Sequence, residues 1–288
     1  MRSELVPGSK YGIRYPQYIM KRFFSLCIIL MMVWPTELAA AKSKGYTISA
    51  RSAIFSDSTK VKRLYGKNVH KKVPPASTTK VMTALLVLEH LPLKKYVTIG
   101  PSVTQVQPSK IHLRSGERYR VEDLLCAMLL NSANDAAIVL AEAVSGSHWK
   151  FVKLMNQRAR QLGARHSQFV NAHGLPTKEK QYTTAYDMYL IFRKALEYSF
   201  FQNAIQLKYK TIASQAGRRI QLRSHNKILF TNWGRKVYGK TGYTRAAQAC
   251  FVGTLKKGSS TFIIAVFGCT RRWEDIKYIV SRYGGITL

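Results

Sequence analysis

Acidic residues are scarce in this chain, which has 14 Asp and Glu among 288 residues against 46 Lys and Arg, for a net charge of +32. Such a balance excludes an acidic solvating or cation-buffering role and attracts polyanions instead: nucleic acid, anionic lipid headgroups or acidic wall polymers. The cations fall in short groups such as Lys71-Lys72, Arg218-Arg219, Lys256-Lys257 and Arg271-Arg272. No zinc-finger or RNA-binding signature accompanies them, so a nucleic-acid partner is not expected. Long Pro/Gly/Ser linkers, low-complexity tracts and 34–45-residue repeats are also missing, which leaves no place to divide the mature chain. No His/Cys/Asp/Glu group has metal-ligand spacing, so neither a metal nor another cofactor is expected.

Cysteine is sparse too, at four residues, and one of them, Cys27, lies in the apolar stretch FFSLCIILMMVW. That stretch is too short for a comfortable membrane span. With Lys21-Arg22 before it and PTELAAAK after it, it reads as an export signal, residues 1–41, cleaved after Ala40 or Ala41. The signal is complete from Met20 onward, so Met20 is a candidate true start. The expected location is periplasmic or otherwise extracytoplasmic. Cys126, Cys250 and Cys269 then remain, too few for a disulfide framework. A hairpin turn at Lys257-Gly258 sets Cys250 opposite residue 265 and offsets it from Cys269 by four residues, about 13 Å. Bridging needs Cα atoms within about 7 Å, so no disulfide is expected.

The order of elements predicts an α/β chain of the α+β kind, with one antiparallel sheet packed by helices and a helical insertion. A strand pair turns at Ser-Asp-Ser-Thr between 46 and 69; helices fill the middle; strands and a closing amphipathic helix follow. Within this order, PPASTTKVMTALLVLEHL stands out. The prolines place Ser77 at the start of a helix running to about His90. Lys80, three residues on, shares its face. The helix beyond is apolar on every side and therefore buried, which desolvates Lys80 and lowers its pKa. A neutral amine beside a hydroxyl is a base beside a nucleophile, and the free Ser77 N–H can meet an oxyanion. The plainer alternative is a serine cap and a snorkelling lysine. The same spacing recurs at Ser147–Lys150 and Ser224–Lys227, though without an apolar helix behind it.

Two further groups need the same weighing. Ser132-Ala133-Asn134 breaks two buried helices: it is either a capping box with Asp135 or a polar pair facing a cleft. Lys240-Thr241-Gly242 in VYGKTGYT is either a strand end with a solvent-facing lysine or a carboxylate-binding edge. In the second case Gly242 admits a substrate backbone and the Tyr243 N–H is a second oxyanion donor. Taken in order, Ser-x-x-Lys, Ser-x-Asn and Lys-Thr-Gly form the signature of penicillin-binding proteins and β-lactamases.

The longer blocks PASTTKVMTALLVLE, LLNSANDAAIVLAE, VNAHGLP, HNKIL and GKTGYTRAAQACFVGT resemble the D-alanyl-D-alanine carboxypeptidases, low-molecular-mass penicillin-binding proteins. The resemblance runs from about Ala50 to the end. It implies the penicillin-binding/β-lactamase-like transpeptidase fold, in one catalytic domain over 42–288. It also implies acyl transfer on peptidoglycan stem peptides, with β-lactam antibiotics as trapping ligands. Ser77 is then the nucleophile, Lys80 the base and Ser132 the proton relay. Asn134 orients the substrate, Lys240 helps electrostatically, and Thr241 with Arg271 meets the terminal carboxylate. The C-terminal β-domain and amphipathic anchor that many members carry are not expected, which leaves the basic surface or an uncleaved signal to meet a membrane or wall polymer. A transpeptidase or endopeptidase on the same scaffold remains open, as does a non-catalytic wall-binding relative. A class A β-lactamase needs a deacylating glutamate, for which the 168–182 region offers only Glu179.

Overall fold

Strands that read as unbroken apolar runs need cover on both faces, and STFIIAVFGC has it. In the computed structural model, which describes residues 46–288, this segment is β9 (Ser260–Cys269) at the centre of a five-stranded antiparallel sheet. The other strands are β1 (Ser52–Asp57), β2 (Lys62–Lys67), β7 (Tyr238–Thr244) and β8 (Gln248–Lys257), in the order β2-β1-β9-β8-β7. Ile263, Ala265 and Phe267 join the main core, while Phe262, Ile264 and Val266 are buried outside it. The alternation is that of a pleated strand. The closing amphipathic helix, Arg272–Gly284, packs against β9, β2 and β8.

Helices make the second half. They are α1 (Lys80–His90), α2 (Val121–Leu130), α3 (Asn134–Ser145), α4 (His148–Gln161), α5 (Ala185–Ala195), α6 (Ser199–Ala204) and α7 (Arg272–Gly284). α1 is buried along Lys80–Val87 and packs on α2, α3, α4 and α5. α5 in turn lies on β1, β8 and β9, so α1 is the axis joining the helices to the sheet. Two small sheets, β3 (Tyr96–Thr98) with β4 (Arg118–Arg120) and β5 (Tyr209–Ala213) with β6 (Arg219–Arg223), flank the helices. This antiparallel sheet packed by seven helices among the described residues has the expected architecture.

Caps behave as their chemistry requires. Thr184 accepts the Asp187 N–H at the start of α5, and Gly146 ends α3 with φ +76°, a conformation glycine takes without strain. The β8–β9 hairpin corrects the expected register. Lys257 pairs with Ser260, so the turn is Gly258-Ser259 and residue 265 faces Val252 rather than Cys250. A bulge then brings Cys269 opposite Ala249, with Gly268 at φ +68°. Cys126, Cys250 and Cys269 are free and buried. The 1–41 signal and the Met20 start lie outside the described residues. No described helix is long and apolar enough to cross a membrane.

Candidate active site

Ser77 lies in a 3-10 turn, Ala76–Thr79, and α1 proper begins at Lys80 rather than at Ser77. The tighter turn follows Pro74-Pro75 and an Ala76 held at φ +47°. No side chain caps either helix start, so Ser77 is not acting as a cap. Lys80 does not snorkel either: it is fully buried, with Nζ 3.1 Å from Ser77 Oγ, 2.6 Å from Asn134 Oδ1 and 2.8 Å from the His173 carbonyl. Burial, with the Lys240 charge nearby, holds the Lys80 ammonium well below its ordinary 10.5. The partner set has a direct consequence for the neutral amine. Asn134 Oδ1 and the His173 carbonyl can only accept, so they take its two protons, and the lone pair faces the Ser77 hydroxyl. The look-alike pairs serve locally: Ser147 Oγ caps α4 through Lys150 N, and Ser224 Oγ accepts Asn226 N.

The second group does not form a capping box. α3 begins at Asn134, with Ala133 as cap residue and no side-chain cap bond. Asp135 instead accepts Ile111 N and Leu113 N at 3.0 and 3.2 Å, pinning the 107–113 loop over the helix start. Ser132 is held at φ +59°, and its Oγ lies 3.1 Å from Lys240 Nζ. Asn134 is 1 % exposed; its Nδ2 donates to the Gln107 carbonyl at 2.9 Å while Oδ1 accepts from Lys80. Asn134 thus holds Lys80 through Oδ1 and the 107–113 loop through one of its two Nδ2 protons.

The third group comes alongside. Lys240 is buried, donating to Ser132 Oγ and, at 3.0 Å, to the Thr241 carbonyl. Burial, then repulsion from Arg272, brings its pKa down to about 7. β7 is an edge strand, and a Cβ placed on Gly242 would stand 3.0 Å from Ser77 N. That is why glycine sits there: the strand presses on the Ser77 amide. Thr241 is buried and Tyr243 is 66 % exposed at the groove. Ser77, Lys80, Ser132, Asn134, Lys240 and Gly242 thus form one connected cluster.

Arg271 is placed elsewhere than expected. It is exposed, and its Nη2 donates to the Thr47 carbonyl at 3.1 Å. The neighbouring Arg272 lies against β7, with Nη1 donating to the Gly242 and Cys250 carbonyls at 3.3 and 2.9 Å. An Arg-Arg pair offers no pattern by which sequence could choose between its members. His173 and Gly174, carried by the VNAHGLP block, belong to the cluster as well, through their backbone. The loop carrying them is tied by Asn171 Oδ1, which accepts Gly174 N at 2.6 Å, and Gly174 at φ +88° runs so close that its Cβ would lie 1.9 Å from the Ala76 carbonyl oxygen. His225 is near both lysines, and burial followed by the charges of Lys240 and Lys80 pushes its imidazole down to about 4. Glu179 is exposed, outside the cluster. Among the described residues no His/Cys/Asp/Glu group could hold a metal.

Known proteins share both the sequence and the shape of this arrangement. The Peptidase_S11 family, D-alanyl-D-alanine carboxypeptidase, matches residues 37–271. D-alanyl-D-alanine carboxypeptidase DacF of Bacillus subtilis is 34% identical over 263 residues, covering 87% of this chain and 67% of that protein. DacB2 of Mycobacterium tuberculosis, likewise a D-alanyl-D-alanine carboxypeptidase, is 32% identical over 218 residues, 75% of this chain and 74% of its own. Among solved structures, a point mutant of the Streptomyces K15 DD-transpeptidase superposes with a TM-score of 0.78 at 26% identity, over 84% of this chain and 100% of that one. The chain belongs to the Peptidase_S11 family of D-alanyl-D-alanine carboxypeptidases.

Proposed function

We infer that this chain is a serine-type carboxypeptidase that removes the terminal D-alanine from peptidoglycan stem peptides through an acyl-enzyme on Ser77. The observation that carries the reading is the buried Lys80 amine at 3.1 Å from Ser77 Oγ, with its other partners restricted to acceptors. Lys80 takes the Ser77 proton as Oγ attacks the carbonyl between the two D-alanines. The Ser77 and Tyr243 N–H groups stabilise the oxyanion; removing one such donor typically costs about 10²–10³ in kcat. On the far side, Ser132 relays that proton from Lys80 to the leaving amine, which leaves Lys80 neutral again, and the cationic Lys240 with Thr241 attracts the terminal carboxylate. Asn134 acts by holding Lys80, and Arg272 supports the strand from behind. Water then releases the acyl group, returning its proton through Lys80.

β-Lactams, whose strained amide occupies the same position as the scissile bond, acylate Ser77 and dwell there. The location that fits this substrate is extracytoplasmic. The excess of cations, 46 against 14 acidic residues, favours a stay near anionic lipid or wall polymer. The test is D-alanine release from an acyl-D-Ala-D-Ala peptide by the exported form and its Ser77→Ala variant. Release by the first and none by the second is expected; equal rates would refute the assignment. A second reading, transpeptidation, is supported by the likeness to the Streptomyces DD-transpeptidase. It predicts that an added amine acceptor diverts the acyl group from water into an aminolysis product.

A further inference from the structure

Two histidines stack beside the Lys80 pocket, and the chemistry above uses neither ring. His148, the first residue of α4, lies nearly parallel to His173, with ring centres 6.2 Å apart and planes 14° from each other. Each ring accepts a backbone N–H from the same loop. Ala172 N donates to His148 Nε2 at 3.1 Å, and Leu175 N donates to His173 Nδ1 at 3.2 Å. A ring nitrogen accepts only when it carries no proton. His148 is therefore held as the tautomer protonated at Nδ1, and His173 as the one protonated at Nε2.

The His148 bond matters because of what surrounds and follows Ala172. The Ala172 carbonyl accepts Thr83 Oγ1 at 2.6 Å, so this stretch of backbone is gripped by α1 on one side and by α4 on the other. The next carbonyl, that of His173, takes one proton of the neutral Lys80 amine. Lys80 and Thr83 stand three residues apart on α1 and share a face. A shift of the 172–173 backbone away from α1 would free that proton and let the lone pair swing off the Ser77 hydroxyl. Ala172 is wholly buried, so its N–H has no ready substitute for the imidazole.

The titratable groups acting around His148 are Glu142 on α3, whose charge favours the imidazolium, and the His173 ring on the loop; Lys80 on α1 acts on His173 in turn. Burial outweighs Glu142 and holds the His148 imidazole below its ordinary 6.5. His173, which burial and then the Lys80 charge push down to about 3, stays neutral across the working range. His148 is thus the ring that can take up a proton. An imidazolium carries N–H on both nitrogens and would oppose the Ala172 N–H instead of accepting it.

We propose that His148 is a positioning residue for acylation: its neutral imidazole fixes the Ala172 amide and, through it, the His173 carbonyl that orients Lys80. The role rests on the Ser77 acyl-enzyme reading. The test measures the second-order rate of acylation by a fluorescent penicillin, from about pH 4.5 to about pH 7.5, in the wild type, His148→Ala and His148→Gln. The glutamine oxygen can accept the same N–H but does not titrate. At about pH 7.5 His148→Ala is expected to acylate about tenfold more slowly, since misplacing a catalytic group by about 1 Å can cost about 10²-fold. His148→Gln should stay within about twofold of the wild type there, and its rate relative to wild type should rise about threefold or more by about pH 4.5. Taking that ratio at each pH removes the titration of Lys80, which both proteins share. A ratio that stays flat, or an Ala variant that melts earlier yet acylates at the wild-type rate while folded, would overturn the role and leave the acyl-enzyme reading standing. No acylation of the wild type at any pH would instead remove that reading, and this role with it.

Discussion

Two lysines buried in one site cannot both hold a proton comfortably, and their partners divide the work between them. Lys80 is desolvated and lies within reach of the Lys240 charge, so the neutral form is favoured where a base is needed. Lys240 titrates at about 7, cationic below that pH and neutral above it. Its attraction for a substrate carboxylate is therefore present below pH 7 and lost as the pH rises through it. In the free enzyme kcat/KM should accordingly fall on an alkaline limb near pH 7. Lys240→Arg keeps its charge throughout and should move that limb upward by about two units or more, at some loss in rate from altered geometry. A pH–rate profile of the two enzymes checks it; an unmoved limb would assign the titration to another group. The burial of Lys80 beside Ser77 was legible in the sequence, because an apolar helix behind a lysine is itself a statement about burial. Arg271 bonds the Thr47 carbonyl while Arg272 bonds β7, and the two differ only in where the chain turns before α7.

At the scale of elements, the site is a meeting of one turn, one helix break, one strand and one loop. Each contributes a backbone feature that its residues explain. Ser132 at φ +59° swings its hydroxyl toward Lys240 instead of into a cap, and Gly242 lets β7 approach Ser77 N. Gly242→Ala would put a methyl 3.0 Å from that amide, closer than most side chains tolerate, at the point where an oxyanion donor must stay free to bond. Acylation is expected to slow by about 10²-fold with a melting temperature lowered by only a few degrees, read by stopped-flow acylation and thermal unfolding. A fall in stability with an unchanged acylation rate would show that the glycine serves packing alone. The helices and strands themselves were legible because their periodicity survives into the fold: the α1 run is buried and the β8 and β9 runs are covered on both faces. The hairpin register was not. A two-residue turn at Gly258-Ser259 and a bulge at Gly268 shift the pairing, and several turns fit LKKGSS equally well. The His173–Gly174 loop was illegible as a site because its contribution is a carbonyl, which every residue type offers.

For the whole molecule, the surplus of positive charge is the dominant surface property. Ion pairs among the described residues engage Arg120, Arg158, Lys194, Lys210 and Arg218. With 14 acidic residues to 46 Lys and Arg, most cations have no carboxylate to meet and are open to a polyanion. The 42–288 form is expected to sediment with vesicles containing an anionic lipid at about 20 mM salt and to be released by about 300 mM, as screening shortens the Debye length from about 20 Å to about 6 Å. Retention at high salt would point to an apolar anchor, and absence of binding at either salt would leave the charge without this role.

All of this depends on Ser77 being the residue that forms the acyl-enzyme, and intact-protein mass spectrometry after incubation with benzylpenicillin asks that directly. The wild-type 42–288 form should gain one penicilloyl mass that persists after excess drug is removed, and Ser77→Ala should gain none. An adduct of equal yield on both proteins, or none on the wild type with the drug left intact, would contradict the account.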